Sequence, residues 1–139
     1  MNQQIVEQLQ KDIQSGAYSC VCYDENTRLY GVCGRRLLPL WELSRKHDLK
    51  GKYVGDKVIG KAAAMILIAG GAAYAYANLM SVSAQTEFEK HGVAFDCETT
   101  AATIKNAARD GMCPMEAAMQ GISDPQAAVQ KIDQMINGK

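Results

Sequence analysis

Apolar residues recur at two periods along the chain, and the switches between them mark the elements. Ile5, Val6, Leu9 and Ile13 fall at helical spacing between Asn2 and Gln14, with Glu7, Lys11 and Asp12 on other faces. An amphipathic helix ending at Ser15-Gly16 is predicted there. Ala17 to Tyr23 and Thr27 to Cys33 are rich in small, β-branched and aromatic residues on either side of Asp24-Glu25-Asn26, which predicts a β-hairpin. Gly34-Arg35-Arg36 breaks the second strand. Leu37, Leu38, Leu40, Trp41 and Leu43 then crowd one helical face, with Pro39 in the first turn and an end near His47.

Leu49 to Gly55 reads as a loop rich in glycine and lysine, and from about Lys57 an apolar helix is expected to run to Ala69. Gly70-Gly71 stops it. Ala72 to Leu79, with Tyr74 and Tyr76 among small residues, predicts a strand in a central sheet position. Ser81 or Ser83 caps a helix that stops at His91-Gly92, and Val93 to Cys97 is a short strand. Thr99 to Arg109 fits either a strand around Thr103-Ile104 or a ragged helix. After an Asp110-Gly111-Met112 turn, Cys113-Pro114 opens a short helix to Gln120, and Asp124-Pro125 caps a last amphipathic helix to Ile136. A hairpin feeding strand–helix crossovers implies an α/β fold of three layers, a mixed sheet with helices on both faces.

At 139 residues the chain is expected to form a single domain, 1–139, that buries roughly two-thirds of its unfolded surface. Its 15 basic residues balance its 15 acidic ones, so no global field points to nucleic acid. Five scattered cysteines, Cys20, Cys22, Cys33, Cys97 and Cys113, behind a polar start from Met1 to Lys11, are consistent with a reducing cytoplasm. Neither histidine falls at ligand spacing and no C-x-x-C occurs, so no structural metal or other cofactor is expected. The uncharged run from Ala62 to Ala77 is shorter than the roughly 18–20 residues of a membrane span, and the Gly-Gly pair divides it into two buried elements. Apolar helix faces around Trp41 could serve a homo-oligomer as easily as a core.

Candidate chemistry gathers in two places. Gly55-x-x-x-x-Gly60-Lys61-Ala62 resembles a P-loop without its final Ser/Thr, the residue that would hold Mg²⁺. A P-loop also follows an apolar strand, which Leu49 to Val54 is too charged to supply. A Gly-Lys step at the mouth of an alanine-rich helix still offers backbone N–H groups and an ammonium to an anion, with Asp56 close by. In Asp110-Gly111-Met112-Cys113-Pro114-Met115-Glu116, proline places Cys113 at a helix start, where unsatisfied N–H groups favour a thiolate, and Glu116 one turn on. The plain reading of this second motif is a small buried cysteine beside a capping glutamate. Gly111 would let the backbone approach a ligand. The tyrosines, with no basic patch beside them, read as core and rim.

Together, G-D-K-V-I-G-K-A-A-A (Gly55 to Ala64) and D-G-M-C-P-M-E (Asp110 to Glu116), with the hairpin and the P-L-W-E-L helix ahead of them, resemble the domain of unknown function 1893 family, which belongs to the cytidine deaminase-like fold. The resemblance covers roughly Ala17 to Glu116, leaving residues 1–16 and 121–139 as additions. It implies a sheet of four or five strands with both motifs at adjacent helix N-termini beside one pocket. Deaminases of that fold place H-x-E and P-C-x-x-C there to hold zinc. Here Lys61-Ala62-Ala63 stands for the first and Cys113-x-x-Glu116 for the second, which disfavours a zinc-dependent nucleoside deaminase.

Two readings of different class follow. In one, the protein binds a small anionic or nucleotide-like ligand through Asp56, Gly60, Lys61, Gly111 and Met112, without catalysis. In the other it is a metal-independent enzyme, with Cys113 as nucleophile, Lys61 stabilising an anion, and Asp56 or Glu116 moving protons. Neither involves nucleic acid or a membrane. The first is favoured, because a loss of metal chemistry is visible and a replacement is not.

Overall fold

The computed structural model describes residues 1–34, 37–105, 111 and 113–138. Its elements are α1 (Gln3–Gln14), β1 (Cys20–Tyr23), β2 (Arg28–Val32), α2 (Leu38–Lys46), β3 (Tyr53–Ile59), α3 (Lys61–Gly70), β4 (Tyr74–Ser81), α4 (Val82–Lys90), β5 (Ala94–Ala101), α5 (Pro114–Met119) and α6 (Pro125–Asn137). The five strands form one mixed sheet in the order β2-β1-β3-β4-β5. β1 runs antiparallel to both neighbours, whereas β3, β4 and β5 run parallel through the crossover helices α3 and α4. The three-layer α/β expectation holds.

The period-2 alternation of the strands sorts the core into two halves. Val21, Tyr23, Tyr53, Tyr74 and Tyr76 face α1, which closes one side with Ile5, Val6, Leu9 and Ile13. Cys20, Cys22, Val54, Ala75 and Ala77 face the larger core, built with α2, α3, α4 and the packed faces of α5 and α6. Burial raises both of these thiols, that of Cys22 to about 11, so they behave as small apolar core groups.

Helix α1 is docked with polar groups as well as apolar ones. Asn2 caps its N–H groups at Gln4 and Ile5. Gln10 and Gln14, one turn apart, donate to the hydroxyls of Tyr74 and Tyr76 at 2.8 and 3.0 Å, and the Tyr23 hydroxyl donates to Asp12. The tyrosines are thus core and rim, as their setting in the sequence implied.

The principal correction concerns the stretch before α3. A loop over Leu49 to Gly55 and a helix from Lys57 were expected, yet Tyr53–Ile59 is the middle strand of the sheet and the helix starts only at Lys61. The central Gly-Asp-Lys hid the strand, and each residue is accommodated for a local reason. A Cβ on Gly55 would come within 2.8 Å of Leu9 and 2.9 Å of Ile13, so the glycine lets α1 seat on the sheet. The β1 ladder ends at Cys20↔Asp56, and beyond it Lys57 and Val58 are exposed. The strand a P-loop requires is therefore present, but Gly55 to Gly60 is extended strand and makes no phosphate loop. The stretch left open after Thr99 is strand as far as Ala101. The expected break at Arg35-Arg36 and the turn at Asp110 lie outside the described residues.

Both ends of α3 follow its sequence. Gly71, with φ 80°, is the left-handed stop after Gly70. At ten residues α3 is far too short to cross a membrane, and among the described residues no helix is long and apolar enough to do so.

Candidate functional site

A cavity of about 810 Å³ lies on the α3 side of the sheet, where β3 ends and α3 begins. Its walls come mainly from apolar side chains, among them Val58, Ala62, Ala63, Ile104, Met115 and Met135. Polar groups enter from Asp56, Cys113 and Glu116, and the exposed Lys57 and Lys105 also line it. In open α/β sheets the carboxyl ends of the strands, at the point where the strand order reverses, are where ligands settle. Here that reversal separates β1 from β3.

Asp56 is the polar group deepest in the wall of this cavity, on the face of β3 that looks toward α3. It is 5% exposed, and among the described residues it has no ion-pair partner. Burial holds its carboxyl well above the usual carboxylate range, opposed by the neighbouring N–H groups of Lys57 and Val58.

Glu116 arrives from α5 and is 7% exposed. Its Oε1 accepts the Lys61 N–H at 2.5 Å. Gly60, at the N-cap of α3, has no side chain with which to cap the helix, so a carboxylate 55 positions beyond Lys61 does so instead. The lack of a Cβ also makes room, since one on Gly60 would lie 2.5 Å from Glu116 Oε1. Burial raises the Glu116 carboxyl, whereas the N–H groups of Lys61 and Ala62, the Lys61 charge and the Ile104 backbone pull it down. The anion position at the helix mouth is thus filled by the protein's own carboxylate.

The remaining predicted residues divide. Cys113 lines the cavity and forms the N-cap of α5, tied down by its N–H to the Ile104 carbonyl at 2.8 Å. Gly60 lines it too, while Gly111 is half-buried and outside the described lining. Met112 lies outside the described residues. Lys61 starts α3, yet its ammonium turns from the cavity toward α4, 3.9 Å from Glu87 Oε2. Lys90 and His91 approach the other oxygen of Glu87 at 3.7 and 3.9 Å. The sequence reading missed Lys57 and Lys105 as cavity residues, and the signal that could have found Lys57 was its position just after Asp56 in a strand that outruns its neighbour.

A sequence profile of the family described as Domain of unknown function (DUF1893) matches residues 8–136. The chain belongs to this family. The match takes in most of α1 and nearly all of α6, beyond the span that the two motifs marked. Among solved structures, the crystal structure of a DUF1893 family protein from Thermotoga maritima superposes with a TM-score of 0.90 at 22% identity, covering 97% of this chain and 92% of that one. At that identity the likeness is one of fold. No curated protein matches the chain.

The described residues of the site do not fit a zinc centre of the deaminase kind. Among the described residues no three His, Cys, Asp or Glu side chains gather to hold a metal ion. Glu116 is committed to the α3 N-terminus, and the first turn of α3 carries Lys61 and alanines and no histidine.

Proposed function

We propose that this DUF1893 protein binds a small, nucleotide-like molecule in the cavity between the end of β3, α3 and α5, within an architecture akin to the cytidine deaminase-like fold. The observation that carries this reading is Asp56, a carboxyl 5% exposed and without an ion-pair partner among the described residues, opening into a cavity of about 810 Å³ with apolar walls. That volume falls in the range of small-molecule sites, where an apolar surround and a few placed polar groups select the ligand. The flat, apolar part of the ligand packs between Val58, Ala62 and Ile104. Its anionic part stays near Lys57 and Lys105, because Glu116 occupies the α3 N-terminus and Lys61 is paired with Glu87. Binding without established chemistry remains the favoured reading.

Thermal unfolding across nucleosides, nucleotides and nucleoside-diphosphate sugars tests it. At least one compound should raise the melting temperature, and phosphate-bearing members should lose part of their effect in Lys57→Ala and Lys105→Ala. A melting temperature unmoved by the whole panel, with Cys113 alkylated at the same rate throughout, would refute it. A second reading keeps Cys113 as a nucleophile and rests on its place in the same wall. It requires Cys113 to be alkylated faster at neutral pH than Cys97, which is also half-buried.

A further inference from the structure

Among the described residues, the cavity contains two buried acids and no buried base. Asp56 and Glu116 are 5% and 7% exposed, whereas Lys57 and Lys105, the described lining residues that carry positive charge, are both exposed. Glu116 already receives N–H donors from the mouth of α3. Asp56 is eased, among the described residues, only by the nearby N–H groups of Lys57 and Val58 in its own strand, the first of which donates to the Ser19 carbonyl. An anionic group pushed to this depth would lose its water, meet two carboxyls and find no buried cation among the described residues. A group rich in N–H donors would instead form charge-assisted hydrogen bonds with Asp56 and compensate a carboxyl that has no counter-charge among the described residues.

We infer that the buried end of the ligand is an N–H donor edge, an amidine, guanidine or amino-heteroaromatic group set against Asp56, and that any anionic group points outward to Lys57 and Lys105. The inference rests on the small-molecule reading above and adds the polarity and orientation of the ligand. It replaces an anion at the helix mouth with a donor at the strand end. Ala62 and Ala63, on the first turn of α3, leave space beside Asp56 for a flat group, with Val58 and Ile104 as further apolar surface.

Benzamidine, benzamide and benzoate test this directly, because they share one ring and differ in the charge and donors of a group of similar size. Calorimetric titration of the full chain should show benzamidine binding at least about tenfold tighter than benzoate, with benzamide between them. Asp56→Asn should weaken benzamidine about tenfold and leave benzamide within about twofold. Benzoate binding as tightly as benzamidine, or a preference for benzamidine that survives Asp56→Asn, would overturn the inference. The order of the three probes on the unaltered protein decides the matter even if the variant folds poorly. Protection of Cys113 from alkylation separates the two levels of the argument. If benzoate protects best, the cavity is a ligand site and the donor inference fails; if no probe and no nucleotide protects Cys113 or shifts melting, both fail.

Discussion

Gly60→Ala isolates the contact that ties the two sequence motifs together. The φ of −98° at Gly60 is open to any residue, so alanine brings no backbone strain. What it meets is the Glu116 carboxylate, with Oε1 at 2.5 Å and Cδ at 2.8 Å from the new Cβ, and Ile104 Cγ1 at 2.9 Å. The carboxylate must retreat, and in doing so it weakens its bond to the Lys61 N–H. A hydrogen bond to a charged group contributes about 1.5–3 kcal/mol. Alanine for glycine restores about 0.4–1 kcal/mol by restricting the unfolded chain. The net expectation is a destabilisation of about 1–2 kcal/mol.

Stability alone would not show that Glu116 is the cause, so the measurement is a double-mutant cycle by urea denaturation. Glu116→Ala removes the carboxylate and should cost about 1.5–3 kcal/mol by itself. In that background, of the three atoms nearest the new Cβ only Ile104 Cγ1 remains, and Gly60→Ala should come close to neutral, giving a coupling of about 1 kcal/mol or more. Additivity to within about 0.5 kcal/mol would mean that the contact between the N-cap of α3 and Glu116 contributes nothing, and the account of the helix mouth would be wrong.

Three further outcomes are expected. Because burial raises the Asp56 carboxyl, the folded protein holds a proton there over a pH range in which the unfolded chain has lost it, so stability should fall as pH rises from about 4 to the raised value, by at most about 1.4 kcal/mol per pH unit. Asp56→Asn should remove that contribution and gain stability relative to the unaltered protein as pH increases; a difference between the two that is constant from acid to neutral pH would refute the assignment. Lys61→Ala should destabilise by about 1–3 kcal/mol, since Glu87 stays buried with only Lys90 and His91 beside it, while ligand affinity changes less than about twofold; a lost ligand with unchanged stability would reverse that reading. A ligand in the cavity should slow alkylation of Cys113 and leave Cys33, which is exposed and outside the described lining, unchanged, as peptide mass spectrometry can follow.

Much of the architecture was legible because it follows from periodicity and punctuation. The spacing of Ile5, Leu9 and Ile13, the left-handed Gly71 after α3 and the capping Ser81 and Asp124 all act within a few residues, and each does what its type implies. β3 was illegible because a middle strand normally reads as a continuous apolar run. Gly55 is there for α1, and Asp56 faces a cavity, and neither fact is local. The site divides in the same way. Cys113 and Glu116 were placed beside the start of α3 by the family resemblance that the two motifs carry. The direction of the Lys61 side chain depends on Glu87, a residue of α4 that no pattern around Lys61 reveals.

The position of the cavity follows from where strand pairing stops. β1 is four residues long and β3 is seven, so the ladder between them ends at Asp56, with one further bond from the Lys57 N–H to the Ser19 carbonyl at 3.0 Å, while β3 runs on to Ile59. α3 must then start beyond the covered part of the sheet, leaving a gap that α5 closes with a carboxylate instead of an apolar side chain. A fold selected for stability alone would fill that gap with aliphatic residues and place none of its acids there. This chain puts one acid on the strand, without a counter-charge among the described residues, and a second across the helix mouth, and it leaves about 810 Å³ open between them. Two unfavourable burials beside one vacant volume are the expected signature of a site whose missing partner is a ligand.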